Sequence, residues 1–182
     1  VTLALGVAQR FSPDDVHIYA IDADANLLAP LDGLAHVGAV VRVDELDRLA
    51  RLVAHLSTEL ERRKGRALEP GGPAAVLTSE PAIVILIDNV GAVRERLDER
   101  RDLEGVWPDL ERVIRDGRSL GICAVLTAKQ DRAVPGSLAT QIPDRLVMRL
   151  GDPMAYAAFG LKASDIPAFV PGRAMRPDDA TE

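Results

Sequence analysis

An α/β fold with a mainly parallel sheet is the class the sequence predicts, and three observations carry it. Residues 83–87 (I-V-I-L-I) are five apolar residues in a row, four of them β-branched. Such a run suits a strand buried on both faces, which is the habit of parallel sheets covered by helices. Two further apolar runs, 16–21 and 122–127, also lead into polar residues. These runs alternate with stretches of helical period, the order that β-α-β connections produce.

Along the chain, 1–11 carries Leu3, Leu5, Val7, Ala8 and Phe11 at a spacing that fits the last turns of a buried helix. The S-P-D-D stretch at 12–15 breaks it. A strand follows at 16–21 and ends in a polar turn with Asp22, Asp24 and Asn26. Residues 27–34 are a Pro/Gly-punctuated loop, and 36–43 a second strand. The clearest helix is 44–64: Leu46, Leu49, Leu52, Val53, Leu56 and Leu60 recur at steps of three and four. Asp44 is the expected N-cap, 61–64 (E-R-R-K) the solvated end, and Gly65 the C′ residue. Residues 66–81 lack a period and read as an exposed loop. After the 82–88 strand, the charged stretch 91–101 reads as a solvated helix face or an irregular excursion. Residues 107–115 form a short helix with Leu110, Val113 and Ile114 inward. A G-R-S-L-G turn leads into the strand 122–127. Residues 137–141 are a short helical turn, 145–150 a further strand, and Asp152-Pro153 opens a helix running to 159. Residues 172–175 are a last short strand.

The chain has 182 residues, enough for one domain with a sizeable core. Aromatics are only 3%, so the core must be built of Val, Leu, Ile and Ala. A net charge of −6 argues against a basic nucleic-acid surface spread over the domain. The single Cys123 excludes an internal disulfide and any cysteine-based metal cluster, and suits a reducing compartment. It reads as a buried small hydrophobe. No apolar run is long enough to span a bilayer. The opening V-T-L-A-L-G-V-A, without Met, looks like a segment of something longer.

Three strand ends gather polar groups: Asp22 and Asp24; Asp88 and Asn89; Thr127, Lys129 and Gln130. In a parallel sheet all three lie on one edge, where ligands of open α/β sheets bind. Polar residues also end strands for purely structural reasons. The stretch A-I-V-I-L-I-D-N (82–89) has the form of a Walker B element, whose carboxylate holds Mg²⁺ beside a nucleotide. No G-x-x-x-x-G-K-[ST] occurs among the 182 residues. His17, His36 and His55 fall on a strand, a strand start and a helix, without metal-site spacing. Ser119 and Ser137 lack a histidine suited to the role of base, which leaves a hydrolase triad unsupported.

The order of these motifs resembles the FtsK/SpoIIIE-type ATPases. S-P-D-D-V-H-I-Y-A-I-D and L-L-A-P-L-D-G-L-A-H-V-G-A-V-V are similar to the segment after the P-loop helix in that family. A-I-V-I-L-I-D-N stands at its Walker B place, and G-R-S-L-G-I-C-A-V-L-T-A-K-Q resembles its turn and sensor strand. I-P-D-R-L-V-M-R-L-G-D-P resembles its Arg-containing strand, and P-G-R-A-M its closing segment. The likeness covers nearly the whole chain and is strongest to EccC-type proteins of type VII secretion.

The resemblance implies a RecA-like P-loop NTPase core over 1–176, missing the P-loop strand, with 177–182 as a disordered tail. It implies ATP and Mg²⁺ as cofactors of the parent protein, with Asp88 as the metal ligand. Asn89, Lys129 and Gln130 would lie near the nucleotide, and Arg145 would face a neighbouring subunit. Two departures stand out. Asn89 occupies the place of a catalytic Glu and cannot act as a general base. Lys129 and Gln130 replace the sensor Gln and its following Arg. The expectation is therefore a degenerate ATPase domain, with no catalytic residue of its own and inactive alone, on the cytoplasmic face of the membrane. Its partners would be neighbouring ATPase domains or subunits and secreted protein substrates, with membrane contact only through parts outside this stretch. A non-catalytic docking module and a DNA translocase domain are the alternatives, and the acidic balance weighs against DNA. The P-loop strand of the family lies between the sensor strand and the Arg-containing strand. Residues 122–126 and 146–149 are therefore expected not to pair.

Overall fold

The computed structural model describes residues 1–129, 133–142, 144–161 and 172–177. Four strands, β1 (Val16–Asp22), β2 (Val37–Arg42), β3 (Ala82–Asp88) and β4 (Ile122–Leu126), form one sheet in the order β2-β1-β3-β4. Every neighbouring pair is parallel, and Asp22 lies level with both Asp88 on β3 and Arg42 on β2. The expected α/β class with a parallel sheet is what the chain forms.

The helices are α1 (Thr2–Arg10), α2 (Leu46–Ala67), α3 (Gly72–Ser79), α4 (Val90–Asp98), α5 (Val106–Gly117) and the short α6 (Gly136–Ala139). On β3, Ile83, Ile85, Leu86 and Ile87 are buried, matching the run that announced the strand. Burying each such side chain contributes about 1.5–3 kcal/mol. One apolar cluster joins Ala4 of α1, Val16, Ile18 and Ala20 of β1, Leu28 and Leu31 of the following loop, Val40 of β2 and Leu86 of β3. The chain divides into two compact units, 1–129 and 130–182. In the second, Val147, Tyr156 and Leu161 form a small buried cluster, and the Tyr156 hydroxyl accepts a hydrogen bond from the Leu150 N–H (2.7 Å).

Several expectations are corrected. Residues 66–81 are not a loop: α2 continues to Ala67, and α3 follows with Val76 buried. Gly71, at φ +102°, makes the left-handed turn between them, and a Pro in the first turn starts α3. Gly65 therefore lies inside α2, where it costs about 1 kcal/mol relative to Ala. Glu80 offsets this by pairing with both Arg62 and Arg66, one turn apart. Asp44 is not the cap of α2. It pairs with Arg42, and Glu45 stands at the N-cap, its Oε2 accepting the Arg42 N–H (3.0 Å).

The solvated end expected at 61–64 holds for Arg62 but not for Arg63, which is 1% exposed. Its Nε donates to Glu59 Oε1 (2.7 Å), Nη1 to the Leu120 carbonyl (2.8 Å) and Nη2 to the Pro81 carbonyl (2.7 Å). Those two carbonyls precede β3 and β4, so one guanidinium ties the amino ends of both strands to α2. A Cβ at Gly121 (φ +79°) would sit 3.1 Å from Arg63 Nη1, which explains the glycine at that turn.

Helix α1 forms as expected, but only Ala4 is buried, and Leu3, Leu5 and the following Phe11 are exposed. Cys123 is exposed rather than buried: β4 is the last strand of the four-stranded sheet, and Val125, on the same face, is exposed too. The strand expected at 145–150 reduces to one antiparallel bridge, Val147 with Met175. Val147 turns into the small cluster while Leu146 and Met148 stay exposed, and no continuous ladder forms among the described residues. Among the described residues β4 pairs with β3. Most of the expected 177–182 tail lies outside the described residues.

Candidate functional site

All four strands run the same way, so their carboxyl ends share one edge, and three of them bring carboxylates or their partners there. β3 ends in Asp88, and Asn89 takes a left-handed conformation (φ +55°) as α4 begins. β4 ends against this turn. The Thr127 N–H donates to the Ile87 carbonyl (2.9 Å), and the Thr127 carbonyl accepts from Val90 N–H (2.9 Å). The Thr127 hydroxyl donates to Asp88 Oδ1 (2.5 Å) and accepts from Asn89 N–H (2.8 Å). Asp88 Oδ2 is buried and has no hydrogen-bond partner among the described residues.

At the end of β1, Asp22 is 3% exposed and fully engaged by its own turn. Its Oδ2 accepts the Leu28 N–H (2.6 Å) and its Oδ1 the Asp24 N–H (3.3 Å). Asp22 is thus a turn anchor. Asp24 is ion-paired with Lys129 across the strand ends (Nζ–Oδ1 3.0 Å), a contact spanning 105 residues of chain. The structure therefore gathers Asp88, Asn89, Thr127, Asp24 and Lys129 at one edge. Gln130 lies outside the described residues. Arg145 belongs to the 130–182 unit, where its Nη2 donates to the Ala139 carbonyl (3.2 Å).

The sequence reading missed the contribution of β2. A shallow depression at this edge is lined by Asp22, Asp24, Ala25, Asn26, Arg42, Val43 and Asp44. The signal for Arg42 was available, since the last residue of any parallel strand reaches the same edge. Its backbone N–H, bonded to Glu45, holds the Glu45 carboxyl below the ordinary carboxylate range.

No group of three or more His, Cys, Asp or Glu suited to a metal occurs among the described residues. Mg²⁺ needs less: it commonly uses one or two carboxylates and completes its shell with waters and phosphate oxygens. The unpartnered Asp88 Oδ2 fits that demand, since a buried carboxylate oxygen without a donor is costly unless a cation meets it.

Residues 1–163 match the FtsK/SpoIIIE family model. The ESX secretion system protein EccC of Thermomonospora curvata is 29% identical over 189 residues, covering 97% of this chain and 14% of that protein. EccC of Geobacillus thermodenitrificans is 28% identical over 182 residues, covering 96% and 12%. Among solved structures, Thermomonospora curvata EccC (ATPases 2 and 3) in complex with a signal sequence peptide superposes with a TM-score of 0.82 at 26% identity. It is covered over 33% of its length and covers 97% of this chain. EssC (ATPases 2 and 3) from Geobacillus thermodenitrificans gives 0.81 at 25% identity, covering 96% of this chain and 34% of that one. The chain thus spans about a third or less of the length of these relatives.

Proposed function

Because the chain belongs to the FtsK/SpoIIIE family, we propose that it is an ATPase-type domain of a type VII secretion motor that does not hydrolyse ATP by itself. The observation that carries this reading is the strand edge. It leaves a buried carboxylate oxygen of Asp88 without a hydrogen-bond partner, while Asn89, at the following position, has no acid–base group. Bound there with a nucleotide, Mg²⁺ would neutralise phosphate charge. Asp88 would hold it, Thr127 would hold Asp88, and Lys129 would balance Asp24. The 182 residues contain no phosphate-cradling G-x-x-x-x-G-K-[ST], so no cradle of that form is supplied within them. A cation site without that machinery suits a module that works beside neighbouring ATPase domains, with Arg145 and Gln130 as candidate contributors. Its proposed setting is the cytoplasmic face of the membrane. No helix of the described residues is long and apolar enough to cross it.

A phosphate-release assay with Mg²⁺ and ATP tests the reading. Background-level release is expected. Turnover abolished by Asp88→Ala would overturn the proposed inactivity.

A second reading is a docking module for secreted protein substrates. It is favoured by the signal sequence peptide bound to the Thermomonospora curvata relative. A labelled signal peptide titrated against this chain tests it, and saturable binding unaffected by ATP is the supporting result.

A further inference from the structure

We propose that the Asp24–Lys129 ion pair is a strap across the carboxyl end of β3, which the phosphates of an incoming nucleotide open by taking Lys129 from Asp24. The inference rests on the reading that this strand edge meets a nucleotide. The register sets the geometry. In the order β1-β3-β4, Asp22 of β1 lies level with Asp88, and Leu126 of β4 lies level with Ile87. Thr127 is therefore level with Asp88 on the other side. Asp24 and Lys129 each stand two residues beyond that level, on chains separated by the whole width of β3. Strands two places apart in a sheet lie about 9.5 Å from each other. The two side chains nevertheless meet, Lys129 Nζ donating to Asp24 Oδ1 at 3.0 Å. Their contact thus crosses the line of β3 beyond the Asp88–Asn89 turn, where ligands of open parallel sheets arrive. Both partners are solvent-accessible, the Lys129 side chain 63% exposed and that of Asp24 38%. So exposed a pair is weak, and salt screens it. The Asp24 backbone is fixed by its N–H bond to Asp22 Oδ1 (3.3 Å), so the part that moves is the Lys129 side chain, an ammonium with three donors on a flexible stem. Asp22 does not compete for it, because its other oxygen is taken by the Leu28 N–H. A polyphosphate brings several negative charges against the single charge of Asp24.

Asparagine keeps the shape of Asp24 without its charge, and methionine keeps the stem of Lys129 without the ammonium. Labelled wild-type protein, D24N, K129M and the double variant D24N/K129M are titrated with inorganic triphosphate, and separately with Mg²⁺ and ATP, at fixed ionic strength. Binding is read from the NMR shifts of the amides at the strand ends. D24N is expected to bind triphosphate about two- to fivefold more tightly than wild type, the share that an exposed ion pair withholds. K129M should bind more weakly than wild type, and D24N should change nothing once Lys129 is gone. If D24N tightens binding equally with and without Lys129, Asp24 acts through its field alone and the strap is overturned. If wild type binds either probe and D24N binds it no more tightly, the strap is likewise overturned while the nucleotide reading stands. If neither probe shifts any of the four proteins, the edge meets no nucleotide and the inference falls with that reading.

Discussion

Replacing the buried Arg63 should be among the damaging single substitutions in the 1–129 unit. Arg63 is 1% exposed, and each of its hydrogen bonds ends on a different segment: Glu59 on its own helix, Pro81 before β3, and Leu120 before β4. Methionine has a comparable length and no donors, so R63M would strand two backbone carbonyls. Each unsatisfied buried carbonyl costs about 1–3 kcal/mol. Glu59 would lose one donor but keep Arg62 at 2.8 Å, so the carboxylate is not left bare. Part of the loss is returned, because a charged group no longer has to be desolvated. The net expectation is about 3–5 kcal/mol, the range seen when one partner of a buried ion pair is removed. Domains are stable by only about 5–15 kcal/mol, so the loss is a large share. R63K, with a single ammonium to reach three acceptors, should fall between. Trp107 on α5 is buried and is the only tryptophan, so its fluorescence reports unfolding in urea. A lower midpoint with unchanged slope is the expected result. An R63M midpoint within about 1 kcal/mol of wild type would refute the tie across the strand starts.

Acid should weaken the same region. Hydrogen bonds from Arg62, and then Arg63, hold the Glu59 carboxyl down to about 2 in the folded state, against 4.5 for the free group. A depressed folded value contributes stability above the unfolded value, and that stability is lost as pH falls from about 5 toward 2. Glu59 is mostly buried but Arg62 is 45% exposed, so the contribution is about 1–3 kcal/mol after allowing for screening. E59Q should flatten this part of a stability-against-pH curve, and an unchanged curve would refute the attribution. At Ser57, a buried hydroxyl on α2 has no partner among the described residues. S57A should therefore be neutral to stabilising by about 1 kcal/mol, since it removes an unsatisfied polar group and improves helix propensity. A loss above about 1 kcal/mol in urea unfolding would mean the hydroxyl is bonded after all. With a net charge of −6, no salt-sensitive binding to duplex DNA is expected in a fluorescence-anisotropy titration. Submicromolar affinity that falls steeply with salt would revive the translocase alternative.

What the sequence showed was decided by period and by parallelism. The β-branched run of β3 and the leucine spacing of α2 reflect local side-chain preferences, so both elements were legible. Once the strands were read as parallel, the meeting of Asp88, Thr127, Lys129 and Asp24 at one edge followed without any knowledge of contacts. Arg63 was not legible, because an arginine in an E-R-R-K stretch looks solvated. Its burial depends on acceptors 4, 18 and 57 positions away, which only the folded chain brings together. Helix α3 was missed for a local reason: Gly and Pro at its start mask an Ala-rich stretch held down by Val76. Cys123 was misplaced because a mid-strand position implies burial only where another layer covers that face.

The two ends of the sheet are built on opposite principles, and that contrast bears on where a ligand belongs. At the amino ends of β3 and β4, Arg63 is buried with acceptors for Nε, Nη1 and Nη2, and Glu59, Pro81 and Leu120 are tied together by it. At the carboxyl ends, a carboxylate oxygen of Asp88 is buried and left open, although Thr127 stands close enough to engage its twin. A buried unsatisfied group costs about 1–3 kcal/mol, and more if charged, so a fold that needed only stability would gain by closing that end. Departures from local consistency are expected at functional sites, where an incoming ligand supplies the missing partner. The unpartnered oxygen, rather than the number of acids nearby, is therefore the physical reason to test the proposed cation at Asp88. Asp22 illustrates the distinction: it is equally acidic and more deeply buried, yet both its oxygens are taken by the backbone of its own turn.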